Sequence, residues 1–280
     1  MKNKDLFIPL PLAKFSSEIL ASFKSFIKIS PKVATTALSS TQSKFVGIPY
    51  WPKSYLDYPR DIKGNSMKMV AQLNFNEIHS AISDEVYPLY FPKDGLLQFF
   101  IPQHSYEHSY LGVCFDTKGN RFNDIAVIYH ESLLSDDLSN NITDLILDNK
   151  YFPITNECEL KFSTDTQFCP LTDNYYKKYF YQFFLNNLCS KQKIEFYESD
   201  EFNSSICKID GYAHINEVDP RVDEYDENNP WILLLQIDSF QDNSKTISNW
   251  GDFGTANWFI RKNDLINKDF SKVLFNWDCY

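Results

Sequence analysis

Histidine, cysteine and carboxylate are the side chains that most often bind metals or move protons, so their spacing is read first. Histidines stand at His79, His104, His108, His130 and His214. His104 and His108 are four apart, with Cys114 six further on. On a helix that spacing would turn two imidazoles to one face, as zinc requires. The segment follows a strand-like run and holds Tyr106 and Tyr110, which predicts a loop. No H-E-x-x-H occurs, so no metal site is expected. The acidic run Asp219, Asp223, Glu224, Asp226 and Glu227 lacks the sixth-position glycine and twelfth-position glutamate of an EF-hand loop, and reads as a solvated surface. The six cysteines (114, 158, 169, 189, 207 and 279) contain no C-x-x-C pair and read as free thiols of a reducing compartment. G-x-S-x-G, Walker A and G-x-G-x-x-G motifs are absent. Thiol catalysis would need Cys279 and His214 to meet, and Asp278 beside Cys279 would raise the thiol pKa rather than lower it. No catalytic residue and no cofactor are expected.

Two amides stand out instead. Gln72 lies 25 residues after Gly47, inside Val70-Ala71-Gln72-Leu73-Asn74; Gln236 lies 25 residues after Gly211, inside Leu234-Leu235-Gln236-Ile237-Asp238. Gly95 precedes Phe100-Ile101 and Gly254 precedes Phe259-Ile260, each by five residues. Three anchors in one order predict an internal duplication. A buried amide must be hydrogen-bonded. Each glutamine therefore either braces a neighbouring loop or lines a cleft between the halves.

The elements that must position these residues follow from periodicity. Ser16 to Lys28 carries apolar residues at helical spacing and predicts an amphipathic helix stopped by Pro31. Lys68–Phe75, Leu96–Ile101, Ile125–His130 and Trp231–Asp238 predict strands, the last buried on both faces. Residues 132–150 predict a short helix or a crossover loop. Thr172 to Lys191, with Tyr176, Tyr179, Phe180, Phe183, Phe184 and Leu188, predicts a helix packed on a sheet. The expected fold class is α+β, with two pseudo-symmetric antiparallel β-rich halves. The expected divisions are an N-terminal helical segment (1–42), a first β-rich half (43–131), a helical insert (132–206) and a second β-rich half (207–280), packed as one domain.

Composition limits the partners. Among 280 residues, 27 Lys and Arg face 37 Asp and Glu, giving a net charge of −10. The arginines are Arg60, Arg121, Arg221 and Arg261. That is too little cationic surface for nucleic acid. No apolar run reaches the ~18 residues of a membrane span, and Asp5 and two prolines interrupt the one signal-like stretch near the N-terminus.

The ordered motifs resemble the YwqG-like family, whose function is unknown. They are Ser43-Lys44-Phe45-x-Gly47-x-Pro49-Tyr50-x-Pro52, Ala71-Gln72-Leu73-Asn74-Phe75 and Gly95-Leu96-Leu97-Gln98-Phe99-Phe100-Ile101. Asp219-Pro220-Arg221, Leu234 to Asp238, Trp250-Gly251-Asp252-x-Gly254, Phe270-Ser271-x-Val273 and Asn276 to Cys279 continue the match. Val46 stands where that family usually has a second glycine, and Tyr280 where a second cysteine is common. The resemblance implies a cytoplasmic bacterial α+β protein, and a partner-binding role for those members that sit among toxin and immunity systems. The expected function is non-catalytic binding of a basic protein, such as a toxin domain, through Asp223, Glu224, Asp226 and Glu227. The alternative is a small-ligand site or unrecognised enzyme between the halves, using Gln72, Gln236, Asp219, Arg221, Trp250, Asp252 and Asn257.

Overall fold

Ten strands form one antiparallel sheet that curls into a half-barrel. The computed structural model describes residues 8–55, 57–133, 152–181, 188–198, 206–223 and 225–279. The sheet strands are β1 (Lys24–Val33), β2 (Lys44–Phe45), β3 (Lys68–Asn74) and β4 (Leu96–Ile101). A separate small sheet follows, made of β5 (Ser109–Tyr110), β6 (Val113–Phe115) and β7 (Arg121–Asn123). The main sheet resumes with β8 (Ala126–His130), β9 (Cys158–Gln167), β10 (Lys208–Ile209) and β11 (Trp231–Asp238). A hairpin of β12 (Phe240–Asp242) and β13 (Lys245–Ser248) precedes β14 (Thr255–Arg261) and β15 (Leu274–Asp278). The spatial order is β15-β14-β11-β10-β1-β9-β2-β3-β4-β8.

The α+β expectation is corrected. The protein is mostly β, with 36% of residues in strands and 17% helical. The two β-rich stretches do not form separate sheets but run into one. Two segments read as helical are strands. The first helix, α1, ends at Ala21, and residues 24–33 form β1. Long pairing overrides local periodicity there: all ten residues of β1 lie in register with β9, from Lys24↔Gln167 to Val33↔Cys158. Pro31 lies past the residues of β1 that pair with β10, Ile27 and Lys28, and two residues past Ile29, whose N–H donates to Cys207 O; proline is tolerated at such a position because it need not donate to a ladder. Strand β9 itself crosses the stretch expected to be a helical insert. After the short α2 (Phe75–Ala81) that follows β3, the helices of that stretch are α3 (Asn174–Tyr181) and α4 (Ser190–Glu198). Leu188 is buried, while Phe183, Phe184 and most of 132–150 lie outside the described residues.

Burial explains the unbroken apolar runs. Strands β3, β4 and β11 are covered on both faces. Inside the curl, Phe99, Trp258, Phe275 and Trp250 belong to one cluster. Outside it, Trp51, Met67, Met69 and Phe100 pack at one end, and Ala213, Ile215, Leu233 and Phe259 at the other. A further cluster joins α3, through Tyr175, Tyr176 and Tyr181, to Leu12 and Ile19 of the N-terminal segment. No helix among the described residues is long and apolar enough to cross a membrane.

The two ends of the sheet use the same local devices. At each, a turn enters the left-handed region at two successive residues, Val46 (φ 47°) and Gly47 (φ 83°), then Asp210 (φ 63°) and Gly211 (φ 79°). Val46 is a β-branched residue in a conformation it disfavours, which explains why the resemblance expects glycine there. Both long strand pairs carry a bulge at the same place, between Met69 and Ala71 and between Leu233 and Leu235.

Candidate functional site

Gln72 and Gln236 do not meet; they occupy corresponding places at opposite ends of the sheet. Gln72 Oε1 accepts from Tyr50 N–H at 2.9 Å, and Gln236 Oε1 accepts from His214 N–H at 2.8 Å. Gln72 Nε2 donates to Ser40 O and Gln42 O, and Gln236 Nε2 to Ile206 O. One strand further out, Gln98 Nε2 donates to Tyr50 O at 2.9 Å and Asn257 Nδ2 to His214 O at 2.8 Å. In each case two amides hold one loop residue by both its N–H and its C=O. Gln72, Gln236, Gln98 and Asn257 are fully buried, so these amides shape the outer loops and touch no solvent.

Asp219 and Arg221 do come together, with a third partner. Arg221 Nε and Nη2 donate to the two oxygens of Asp219 at 2.9 and 2.8 Å, and Nη2 also donates to Asp173 Oδ1 at 2.8 Å. Asp173 Oδ2 accepts from Ala213 N–H, and Asp219 Oδ2 from Tyr175 N–H at the start of α3. Burial pulls the Arg221 guanidinium down, but the carboxylates of Asp173 and Asp219 outweigh it and hold the group above its usual range. The triad locks loop 211–223 onto α3.

The other expected residues are dispersed. Trp250 is buried against Trp258 and Trp277, while Asp252 is exposed on the turn that follows. Asp223 pairs with Arg261, Asp226 and Glu227 are exposed, and Glu224 lies outside the described residues. His108 is exposed, whereas Cys114 is buried with its thiol on Ser109 Oγ. Among the described residues no group of three His, Cys, Asp or Glu side chains is placed to hold a metal ion. His214 Nε2 bonds Asn216 Oδ1, and Cys279 Sγ packs over Gly251.

An open groove of about 740 Å³ lies where the small sheet meets β15 and loop 217–222. It draws on both β-rich stretches of the chain. Tyr110, Phe115, Arg121 and Phe122 form one wall, Leu274, Asn276 and Trp277 the floor, and Glu217, Val218, Asp219 and Val222 the other wall. Val222 is 87% exposed, Val218 69% and Tyr110 52%. The outer edge of β15 is satisfied by side chains. Phe275 N–H donates to Asn123 Oδ1, and Phe275 O accepts from Arg121 Nη2 and Asn123 Nδ2. Burial lowers the Arg121 guanidinium, and nearby Asp278 opposes the shift. Asp278 accepts from the backbone N–H groups of Asn216, Glu217 and Val218, which fixes the acidic wall.

The groove is open because one loop lacks rings. At the other end of the sheet, Trp51, Tyr55 and Tyr58 stand four, eight and eleven residues past Gly47. Trp51 and Tyr58 pack on Phe100, and Tyr55 stacks on His130, closing that surface. The residues at the same distances past Gly211 are Ile215, Asp219 and Val222. Of the expected site residues only Asp219 lines this groove. The groove was missed from the sequence; the one signal for it is two valines, Val218 and Val222, inside a strongly acidic loop read for its charge alone.

Fold and site together define a mostly-β half-barrel with an apolar surface groove. The chain belongs to the family described as a domain of unknown function (DUF1963), whose model matches residues 43–279. No curated protein matches it.

Proposed function

We propose that this chain is a non-catalytic, cytoplasmic binding protein of the YwqG-like kind, whose groove receives an extended, apolar and basic segment of a protein partner. The observation that carries this reading is the exposed apolar lining of Tyr110, Phe115, Phe122, Val218 and Val222 beside an acidic wall. Exposed apolar surface of that kind marks interaction sites. The chain's net charge of −10 favours encounter with a basic partner. A toxin domain held inactive by occlusion is a partner of that class, which makes the chain an immunity-like protein.

The test is a selection of displayed eight-residue peptides on the whole protein, repeated on a Phe122→Asp, Val218→Asp variant. Both side chains are exposed, so the variant retains its fold. Enrichment of apolar, net-positive sequences on the wild type and not on the variant is expected. Enrichment of acidic sequences, or equal enrichment on both proteins, overturns the reading. A second reading places a small apolar ligand in the same groove, whose volume lies within the roughly 300–1,000 Å³ of ligand pockets. Thermal stabilisation by apolar metabolites without any peptide enrichment would favour it.

A further inference from the structure

The acidic wall of the groove has a second face. Across the ridge of residues 217–223 lies another groove of about 780 Å³, which shares Glu217, Val218, Asp219 and Val222 with the first. Its character differs, because charged side chains share its lining with three tyrosine rings. Tyr179 and Tyr225 lie 4.1 Å apart between ring centroids, and Tyr175 lies 5.5 Å from Tyr225. Glu217, Asp219 and Asp223 face the same space, Asp219 paired with Arg221 and Asp223 with Arg261. Arg221 also lines it, but sits between Asp173 and Asp219 and is over-compensated by them.

We propose that this second groove takes an arginine side chain of the partner segment, laid over the tyrosine rings, while an apolar neighbour fills the first groove and the ridge passes between them. This rests on the reading of the first groove as the seat of a peptide segment. A cation over an aromatic face is attracted by the ring quadrupole, most strongly when both are partly desolvated. The surrounding structure already uses this contact. The Arg221 guanidinium lies 5.2 Å from the Tyr175 centroid and 4.3 Å from that of Phe259, and Arg261 lies 4.4 Å from that of Trp231. In an extended chain, side chains i and i+2 point to one side about 6.6–6.8 Å apart, and the two grooves meet at four shared residues, Glu217, Val218, Asp219 and Val222. The two grooves thus read apolar and cationic side chains at a fixed spacing. Lys178 also lines the second groove and opposes the incoming charge.

The test uses eight-residue peptides with one Leu and one Arg separated by zero to four residues, and the same peptides with citrulline for Arg. Each is titrated calorimetrically onto the full chain. At one spacing the Arg peptide should bind about tenfold more tightly than its citrulline counterpart. That difference should vanish in Tyr179→Ala and grow in Lys178→Glu. Tyr179 is 41% exposed, and an unchanged melting temperature checks that the variants fold. Equal affinity of the Arg and citrulline peptides, with binding still abolished by Phe122→Asp, overturns the second groove and leaves the first. Failure of every peptide to bind overturns the reading of the first groove, and this inference with it.

Discussion

Replacing Lys208 by Met should stabilise the protein, by an amount that shrinks as pH rises. The Lys208 side chain is fully buried. Its Nζ donates to Gln167 Oε1 at 2.9 Å and lies 5.3 Å from the Phe26 ring centroid. Burial pulls its pKa down to about 7, against the opposing pull of Asp173 and Asp238. In the unfolded chain it titrates near 10.4, so between about pH 10.4 and 7 the unfolded state holds a proton that the native state lacks. Wild-type stability therefore falls as pH drops through that window and is constant in this respect below it. The penalty is about 4–5 kcal/mol at pH 6 and about 2 kcal/mol at pH 9. Methionine removes the penalty but leaves the buried Gln167 Oε1 without its donor, at a cost of about 1–3 kcal/mol. The variant should be about 2 kcal/mol more stable at pH 6 and equal to wild type near pH 9. Urea unfolding at pH 6, 7, 8 and 9 measures both proteins. A difference that does not narrow with pH, or a variant less stable at pH 6, would refute the reasoning; the second result would mean that the ammonium is held by net-favourable ion pairs.

Three further outcomes are expected. Burial draws the His130 pKa down to about 4, so wild-type stability should fall by about 3 kcal/mol as pH drops from about 6.5 to 4; His130→Phe should flatten that slope in acid urea titrations, and an unchanged slope would exclude His130 as its source. Gln72→Leu and Gln236→Leu each strip a loop N–H of its acceptor and should each cost about 1–3 kcal/mol, with faster amide exchange at Tyr50 in the first variant and at His214 in the second. Arg221→Leu leaves the buried Asp173 carboxylate without its cation and should cost about 3–5 kcal/mol; a loss below 1 kcal/mol in thermal unfolding would show that the triad contributes little.

The strands were legible wherever both faces are buried, because continuous apolar runs such as Leu96–Ile101 and Trp231–Asp238 carry their own signal. Strand β1 was not. Phe26 and Ile27 are adjacent and fit a helical stripe as well as a strand, and only the ladder to β9 decides between them. Strand β9 hid for a different reason: Glu159, Lys161, Ser163 and Asp165 alternate with Leu160, Phe162 and Thr164, a polar pattern that looks unlike a central strand. The amides Gln72 and Gln236 were found by spacing. Their role as braces became visible only when Tyr50 and His214 stood opposite them. The groove was the least legible feature, since it depends on three segments far apart in the chain and on the rings that loop 211–223 lacks.

The position of β1 bears on how the chain can be assembled. Ile27 pairs with Ile209 and Lys28 with Lys208, while β9, made much later than β1, pairs with β2 on its other side. Each end of the sheet is thus joined to a central strand encoded in the other part of the chain. During synthesis β1 must wait for almost two hundred residues before its outer partner exists. Such long-range pairing slows folding and leaves strand edges open in the meantime. A fragment ending near residue 131 would lack β9 and present β2 unpaired on that side, so the two parts should gain and lose their structure together, in a single cooperative transition.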